Sequence, residues 1–389
     1  MFFNITTQAD TNFPNQQYFN NLCLNTDNGW KLKEDLGKIY VYKGLSFDFE
    51  LADILDCNSG EHYGSFCIIE YNKHKQDLTV KTDRHRAFTI YTDNSQYTNL
   101  YKLPTAIWAD DTITIDQNFC LSNKHHDPVG KIDNTITDYK QVVDWIYNRL
   151  YERIQAFVNT NKLPIKVFLS GGVDSMLIYS FIKKLTNNYE LVFEETVQYD
   201  YFYMANSDTI KHSLPLGTQM HHWRDSCVII SGAPGDEFLM RNPILSQLWC
   251  DWHDLDLMQV IEENTNAYMY KFFKKNLRPL SQDKSLSGLT QTQLLHHLCN
   301  INVNDPQHWH IGNTFMFTPL RDIEIYKKIA MLPAEQGLLQ ILHAQINKDI
   351  IARNDAELLN YVSTYKNFES RKRLIPFYNM YSNVTSTCR

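Results

Sequence analysis

One stretch constrains this chain more than any other: residues 166–185, KVFLSGGVDSMLIYSFIKKL. Ile165–Leu169 is a short apolar, β-favouring run broken once by Lys166. Ser170, Gly171 and Gly172 form a turn, and Met176 onward is apolar at helical length. A strand, a glycine turn and a helix in that order make a βα unit. Such a unit aims backbone N–H groups and a helix N-terminus at one spot, which suits an anion. Gly171 and Gly172 carry no Cβ to hold phosphate oxygens off the backbone. Asp174 would repel that anion unless a divalent cation lay between them. Magnesium is the natural candidate, because it takes a few carboxylates and completes its shell with phosphate oxygens. The Walker A pattern GxxxxGK[ST] does not occur.

A second turn of the same kind follows. Residues 228–240, VIISGAPGDEFLM, run from an apolar strand into Ser231, Gly232, Ala233, Pro234 and Gly235, closed by Asp236 and Glu237. Alone this is an ordinary solvated turn, since glycine-rich turns are common. Beside the first loop, Asp236 becomes a candidate to share an ion with Asp174. Residues 191–197 and Cys227–Ile230 read as further buried strands, and the pattern beyond residue 242 is mostly helical. Upstream, residues 139–159 predict a helix with Val142, Ile146, Leu150, Ile154, Phe157 and Val158 on one face. The fold class expected is therefore α/β, a parallel sheet with helices on its faces and ligands at the strands' C-terminal ends.

Residues 1–125 read instead as β-rich. Segments 38–42, 65–71, 78–82 and 88–91 alternate or carry β-branched and aromatic residues. The polar segment 122–138, with His125, His126, Asp127, Pro128 and Gly130, is expected to be a linker. It divides the 389 residues into units 1–125 and 139–389.

These motifs resemble known families. Ser-Gly-Gly-Val-Asp-Ser at 170–175 resembles the pyrophosphate-binding loop of the N-type ATP pyrophosphatases, which cleave ATP between its α and β phosphates. Taken with SGAPGDE at 231–237 and NTFMFTPLRDIEIYKKIAMLP at 313–333, it is similar to the synthetase domain of the asparagine synthetase family. In the last stretch, Thr318-Pro319-Leu320-Arg321-Asp322 and Leu332-Pro333 look like that family's R-x-P-F-L-D … L-P segment. Residues 348–353 are similar to its K-x-x-L-R. Lys372 falls where the family keeps a late catalytic lysine; a solvated base in Arg371-Lys372-Arg373 is the alternative. In the N-terminal part, Gly64-Ser65-Phe66, and Thr82-Asp83-Arg84-His85-Arg86 leading to Ile90-Tyr91, resemble the G-x-F and D-R-x-G-x-x-P-L-Y of class II glutamine amidotransferases.

The resemblance implies a parallel-sheet ATP pyrophosphatase domain, adenine nucleotide α-hydrolase-like, preceded by an α+β antiparallel-sheet amidotransferase-like domain. It implies an ATP-dependent ligase: a carboxylate attacks the α-phosphate, pyrophosphate leaves, and an amine takes the acyl group from the adenylate to give an amide and AMP. Ser170, Gly171, Gly172, Asp174, Ser175, Gly232 and Gly235 would hold the nucleotide, and Asp174 and Asp236 magnesium. Lys372 would offset charge growing at the carbonyl and α-phosphate. The partners implied are a small-molecule or peptide carboxylate and an amine or ammonia, by default aspartate and free ammonia. A homo-oligomer stays open.

Two departures modify that picture. Class II amidotransferases use an N-terminal cysteine whose thiol attacks glutamine and whose α-amine is the base. Position 2 here is Phe2, and Cys23-Leu24-Asn25 does not resemble the family's start. The expectation is a degenerate domain without glutaminase activity. Ala233 stands three residues before the loop aspartate, where asparagine synthetases carry a glutamate and β-lactam synthetase a tyrosine. This leaves the amine open. β-Lactam and carbapenam synthetases, and lasso-peptide cyclases, make an intramolecular amide former the first alternative. A tRNA-modifying ATP pyrophosphatase and a non-catalytic binding protein are the others.

Composition narrows the classes. A net charge of −7 without a dense Lys/Arg block argues against a nucleic-acid binder. No apolar run approaches the ~18 residues of a membrane span, and MFFNITTQAD lacks the regions of a signal peptide, so a cytoplasmic protein is expected. Eight cysteines without a CxxC pair suggest neither a zinc ribbon nor a redox pair. The adjacent pairs His125/His126, His221/His222 and His296/His297 point in different directions on any regular element, so no metal is expected there. The aromatic run 199–203 reads as packing or as a flank for adenine.

Overall fold

The computed structural model describes residues 3–47, 49–56, 62, 64–83, 90–93, 95–98, 105–107, 112–124, 138–169, 172–193, 226–264 and 314–361. In chain order its first strands are β1 (Phe3–Thr6), β2 (Asn15–Phe19), β3 (Leu22–Thr26), β4 (Lys31–Asp35), β5 (Lys38–Ser46), β6 (Gly64–Asn72), β7 (Asp77–Thr82), β8 (Ile90–Thr92), β9 (Tyr97–Thr98), β10 (Thr105–Ile107), β11 (Thr112–Ile115) and β12 (Leu121–Lys124). They form two six-stranded antiparallel sheets, ordered β10-β8-β9-β1-β3-β2 and β12-β11-β7-β6-β5-β4.

Side chains alternate across a strand, and here the alternation builds two cores. Cys67, Ile69 and Tyr71 on β6 point with Val41, Leu78 and Val80 toward Phe3, Ile5, Leu22 and Leu24 of the other sheet. Phe66 and Ile68, on the opposite face of β6, pack with Tyr40, Tyr42, Leu51, Ile54 and Leu55. A strand buried on both faces reads as a continuous apolar run, which is why GSFCIIEYN stands out in the sequence. Among the described residues up to 124 there is no α-helix, only the 3-10 turn Leu51–Asp53, so the helical half of the expected α+β arrangement is not seen there. The expected linker 122–138 is corrected at its start: residues 122–124 pair within β12, against β11. The rest of it up to 137 lies outside the described residues.

The remaining elements are α1 (Tyr139–Thr160), β13 (Ile165–Leu169), α2 (Val173–Leu185), β14 (Glu190–Phe193), β15 (Cys227–Ile230), α3 (Gly235–Phe238), α4 (Pro243–Trp252), α5 (Leu257–Asn264), β16 (Thr314–Phe317), α6 (Ile323–Ala330), α7 (Ala334–His343) and α8 (Gln345–Asp355). The four strands form one parallel sheet, in the order β14-β13-β15-β16. Asp138 caps α1 by accepting from the N–H of Gln141 at 2.9 Å. The helix buries the stripe Val142, Ile146, Leu150, Ile154 and Phe157, as its spacing requires. Val158, expected on that stripe, is only half-buried at its edge.

Two contacts recur below. At the end of β5, Phe47 meets Phe157 of α1 edge-on at 5.3 Å and Phe317 of β16 at 4.4 Å, which ties the antiparallel part to the parallel sheet. At the start of α6, the fully buried carboxylate of Asp322 accepts from Arg149 Nε at 2.8 Å and Arg153 Nη1 at 3.2 Å, both on α1. It also caps α6 through the N–H of Glu324 at 3.1 Å.

Candidate functional site

The strand order fixes where a ligand site can lie. β13 has β14 on one side and β15 on the other, so the chain changes direction across the sheet between β13 and β15. In a parallel sheet that switch point opens a crevice at the strands' C-terminal ends. The first turn of α2, which follows β13, and the loop after β15 both lie at those ends.

The loop after β15 is pressed against the first turn of α2. A Cβ on Gly232 would lie 2.4 Å from the carbonyl carbon of Asp174 and from the N of Ser175. A Cβ on Gly235 would lie 2.4 Å from Asp174 Cγ. No other residue fits at either position without moving Asp174 and the first turn of α2. The second loop is braced from behind: the N–H of Ser231 donates to Phe317 O at 3.1 Å, and that of Gly235 to Gly232 O at 2.9 Å. Gly172 precedes α2 in extended conformation and supplies no side-chain cap. Ser175, expected to face pyrophosphate, donates its hydroxyl to Gly172 O at 2.9 Å. Ser170, Gly171 and Lys372 lie outside the described residues, as do Phe2, the three histidine pairs and the run 199–203.

Charge is concentrated at the junction. Asp174, 18% exposed, accepts from Arg241 Nη1 at 3.0 Å on Oδ1 and 3.1 Å on Oδ2, and from Asn347 Nδ2 at 2.7 Å. The same Nη1 stands 3.6 Å from Asp236, whose side chain is 42% exposed. Burial pushes the Asp174 carboxyl up to about 6; the Arg241 charge pulls it down, and the neighbouring Asp236 charge pushes it up again. Burial also lowers the Lys348 ammonium on α8, helped by repulsion from Arg241 and opposed by Asp349. Burial and the Lys348 charge lower His343 in turn. Behind Asn347 stands Gln340, which donates to Asn347 Oδ1 at 3.0 Å and to Leu239 O at 2.9 Å, and accepts from the N–H of Ile346 at 2.9 Å. The corner between α7 and α8 thus buttresses the Asp174 carboxylate.

No known protein family and no curated protein matches the chain.

The α2 N-terminus is the part of the arrangement suited to a phosphate-bearing anion, while Asp174 and Asp236 oppose one except where Arg241 offsets them. An α2 N-terminus without a side-chain cap opens on the crevice, with Arg241 and the half-buried Lys348 nearby. Magnesium fits less well. Asp174 and Asp236 do meet, but the guanidinium of Arg241 stands against both. Among the described residues no group of three or more His, Cys, Asp or Glu gathers to hold a metal. As placed, these side chains do not fit a divalent ion on Asp174. Arg241 and Asn347 are the site residues that sequence reasoning missed. Arg241 follows Asp236 with no spacing signal of its own, and Asn347 sits one residue before the Lys348 stretch already singled out.

Proposed function

We propose that the crevice binds ATP and that the protein is an amide-forming ligase of the asparagine synthetase kind. One observation carries the reading: the glycine loop after β15 closes on the first turn of α2, at Asp174 and Ser175, at the switch point of a parallel sheet. In this reading a carboxylate oxygen of the substrate attacks the α-phosphorus of ATP. The bond from that phosphorus to the bridging oxygen breaks, and pyrophosphate leaves. An amine nitrogen then attacks the acyl carbon, AMP departs with the acyl oxygen, and the amine's proton passes to solvent. The α2 N-terminus would receive the phosphates. Lys348, its pKa lowered by burial, would sit near the developing negative charge; by the resemblance Lys372 and the loop residues Ser170 and Gly171 join it. Residues 1–125 would be the amidotransferase-like unit, with 139–389 the synthetase-like one.

The nitrogen source has its own observation. Cys23, the thiol weighed above for amidotransferase chemistry, is wholly buried in β3, and burial pushes its thiol up. A buried neutral thiol is inert. This favours a free amine, or an amine on the substrate itself as in a ring-closing enzyme, over ammonia from glutamine. Exchange of labelled pyrophosphate into ATP, screened across carboxylates and carboxylate-bearing peptides, tests the reading. Exchange that depends on one acid supports the ligase and names its substrate. Its absence with every acid, while ATP still binds, would leave a nucleotide-binding protein instead.

A further inference from the structure

The crevice holds two carboxylates and, against both, a cation that belongs to the chain. Arg241 Nη1 lies 3.0 and 3.1 Å from the two oxygens of Asp174 and 3.6 Å from Asp236 Oδ1. The guanidinium is not a visitor from the surface. Its side chain is 6% exposed, and its backbone N–H donates to Asp236 O at 2.7 Å, so the loop that carries Asp236 also fixes Arg241. Among the described residues the other partner of Asp174, Asn347, is itself a donor and is held by Gln340. Donors therefore face the Asp174 carboxylate, and one of them is a fixed cation that opposes a second, hard cation binding through oxygen.

We infer that Arg241 is the resident counter-ion of the Asp174–Asp236 pair and keeps divalent metal off Asp174. The pair is a metal site in its carboxylates and a salt bridge in its occupancy, and one side chain decides between the two. Asp236, the more exposed member, is the carboxylate left to meet anything entering the crevice. The inference concerns the free protein and holds whether or not the crevice is a ligase site.

Manganese alone is the probe, added without nucleotide to the full chain and followed by the loss of its free paramagnetic resonance signal. Wild type and Asp174→Asn should titrate alike, because Asp174 binds no metal. Arg241→Gln should gain one site at least tenfold tighter than any in wild type. That site should vanish when Asp174→Asn is added. Arg241→Lys, which keeps a cation at the position, should gain nothing. The inference is overturned if wild type already holds a manganese ion that Asp174→Asn removes, or if folded Arg241→Gln gains no site. Should Arg241→Gln fail to fold, the pair of wild type and Asp174→Asn still decides, since a metal lost with Asp174 contradicts the inference by itself.

Discussion

Asp322 and Asp174 are both carboxylates met by arginine, and the two corners are built in opposite proportions. At Asp322 two guanidinium groups and a helix N–H converge on one fully buried anion. At Asp174 one guanidinium serves two carboxylates, and the anion is partly open to the crevice. An excess of donors joins α1 to α6. An excess of acceptors leaves charge only partly compensated, and Asp174 responds with a carboxyl pushed up to about 6. Surplus cation makes a joint; surplus anion makes a place where something else can act.

The comparison breaks most visibly at Asp322. Asp322→Ala leaves two arginines facing a gap and should cost about 3–5 kcal/mol, measured by denaturant unfolding. A loss below about 1 kcal/mol would mean that both arginines find water, and the joint would be no joint. Asp174→Asn should move stability the other way. The folded carboxyl titrates near 6 and the unfolded one near 3.8, so the folded state holds extra proton between them. Stability therefore falls as pH rises through that window and levels off above it. Removing the charge should raise stability by about 1–3 kcal/mol at pH 8 and remove Asp174's share of the slope between pH 4 and 6. Unfolding midpoints of both proteins across that range check it; equal slopes would show that Asp174 is fully compensated after all.

Smaller changes sharpen the contrast. Gln340→Ala frees Asn347 and should cost about 1–2 kcal/mol. It should also carry the Asp174 titration upward, because a donor to the charged form is loosened; an unmoved titration would make Gln340 a brace for the helix corner alone. Cys23 shows what burial does where no cation stands beside it among the described residues. Its thiol should resist alkylation in the native protein while the exposed Cys120 reacts, as read by mass spectrometry of digested samples. Cys23→Ser should alter no glutamine turnover.

How much of this was legible depended on which forces act locally. Ile165–Leu169 and Cys227–Ile230 match the strands read from sequence, since buried parallel strands are unbroken apolar runs. The helix read at 139–159 is a residue longer, and α2 begins at Val173, earlier than its apolar run shows. β4 was invisible: Lys31–Asp35, KLKED, is exposed at every residue and owes its conformation to pairing with β5. β16 was read as a motif and not as a strand, its identity coming from docking on β15. At the site, the glycines and aspartates announced themselves because a close approach and a charge leave marks in a sequence. Arg241 and Asn347 left none. An arginine is an ordinary surface residue until a fold buries it against an acid.

The sheet order carries a consequence for synthesis. β14 reaches β13 through a single helix, but β15 and β16 come from much later in the chain and must settle on the far side of β13. Until the chain has been made past Ile230, β13 carries an open edge of unpaired N–H and C=O groups, and β15 then carries one until β16 is made past Phe317. Such an edge invites pairing with a neighbouring nascent chain. Slow translation between β14 and β16 should therefore lower the yield of native protein, and a chaperone held on that edge should restore it.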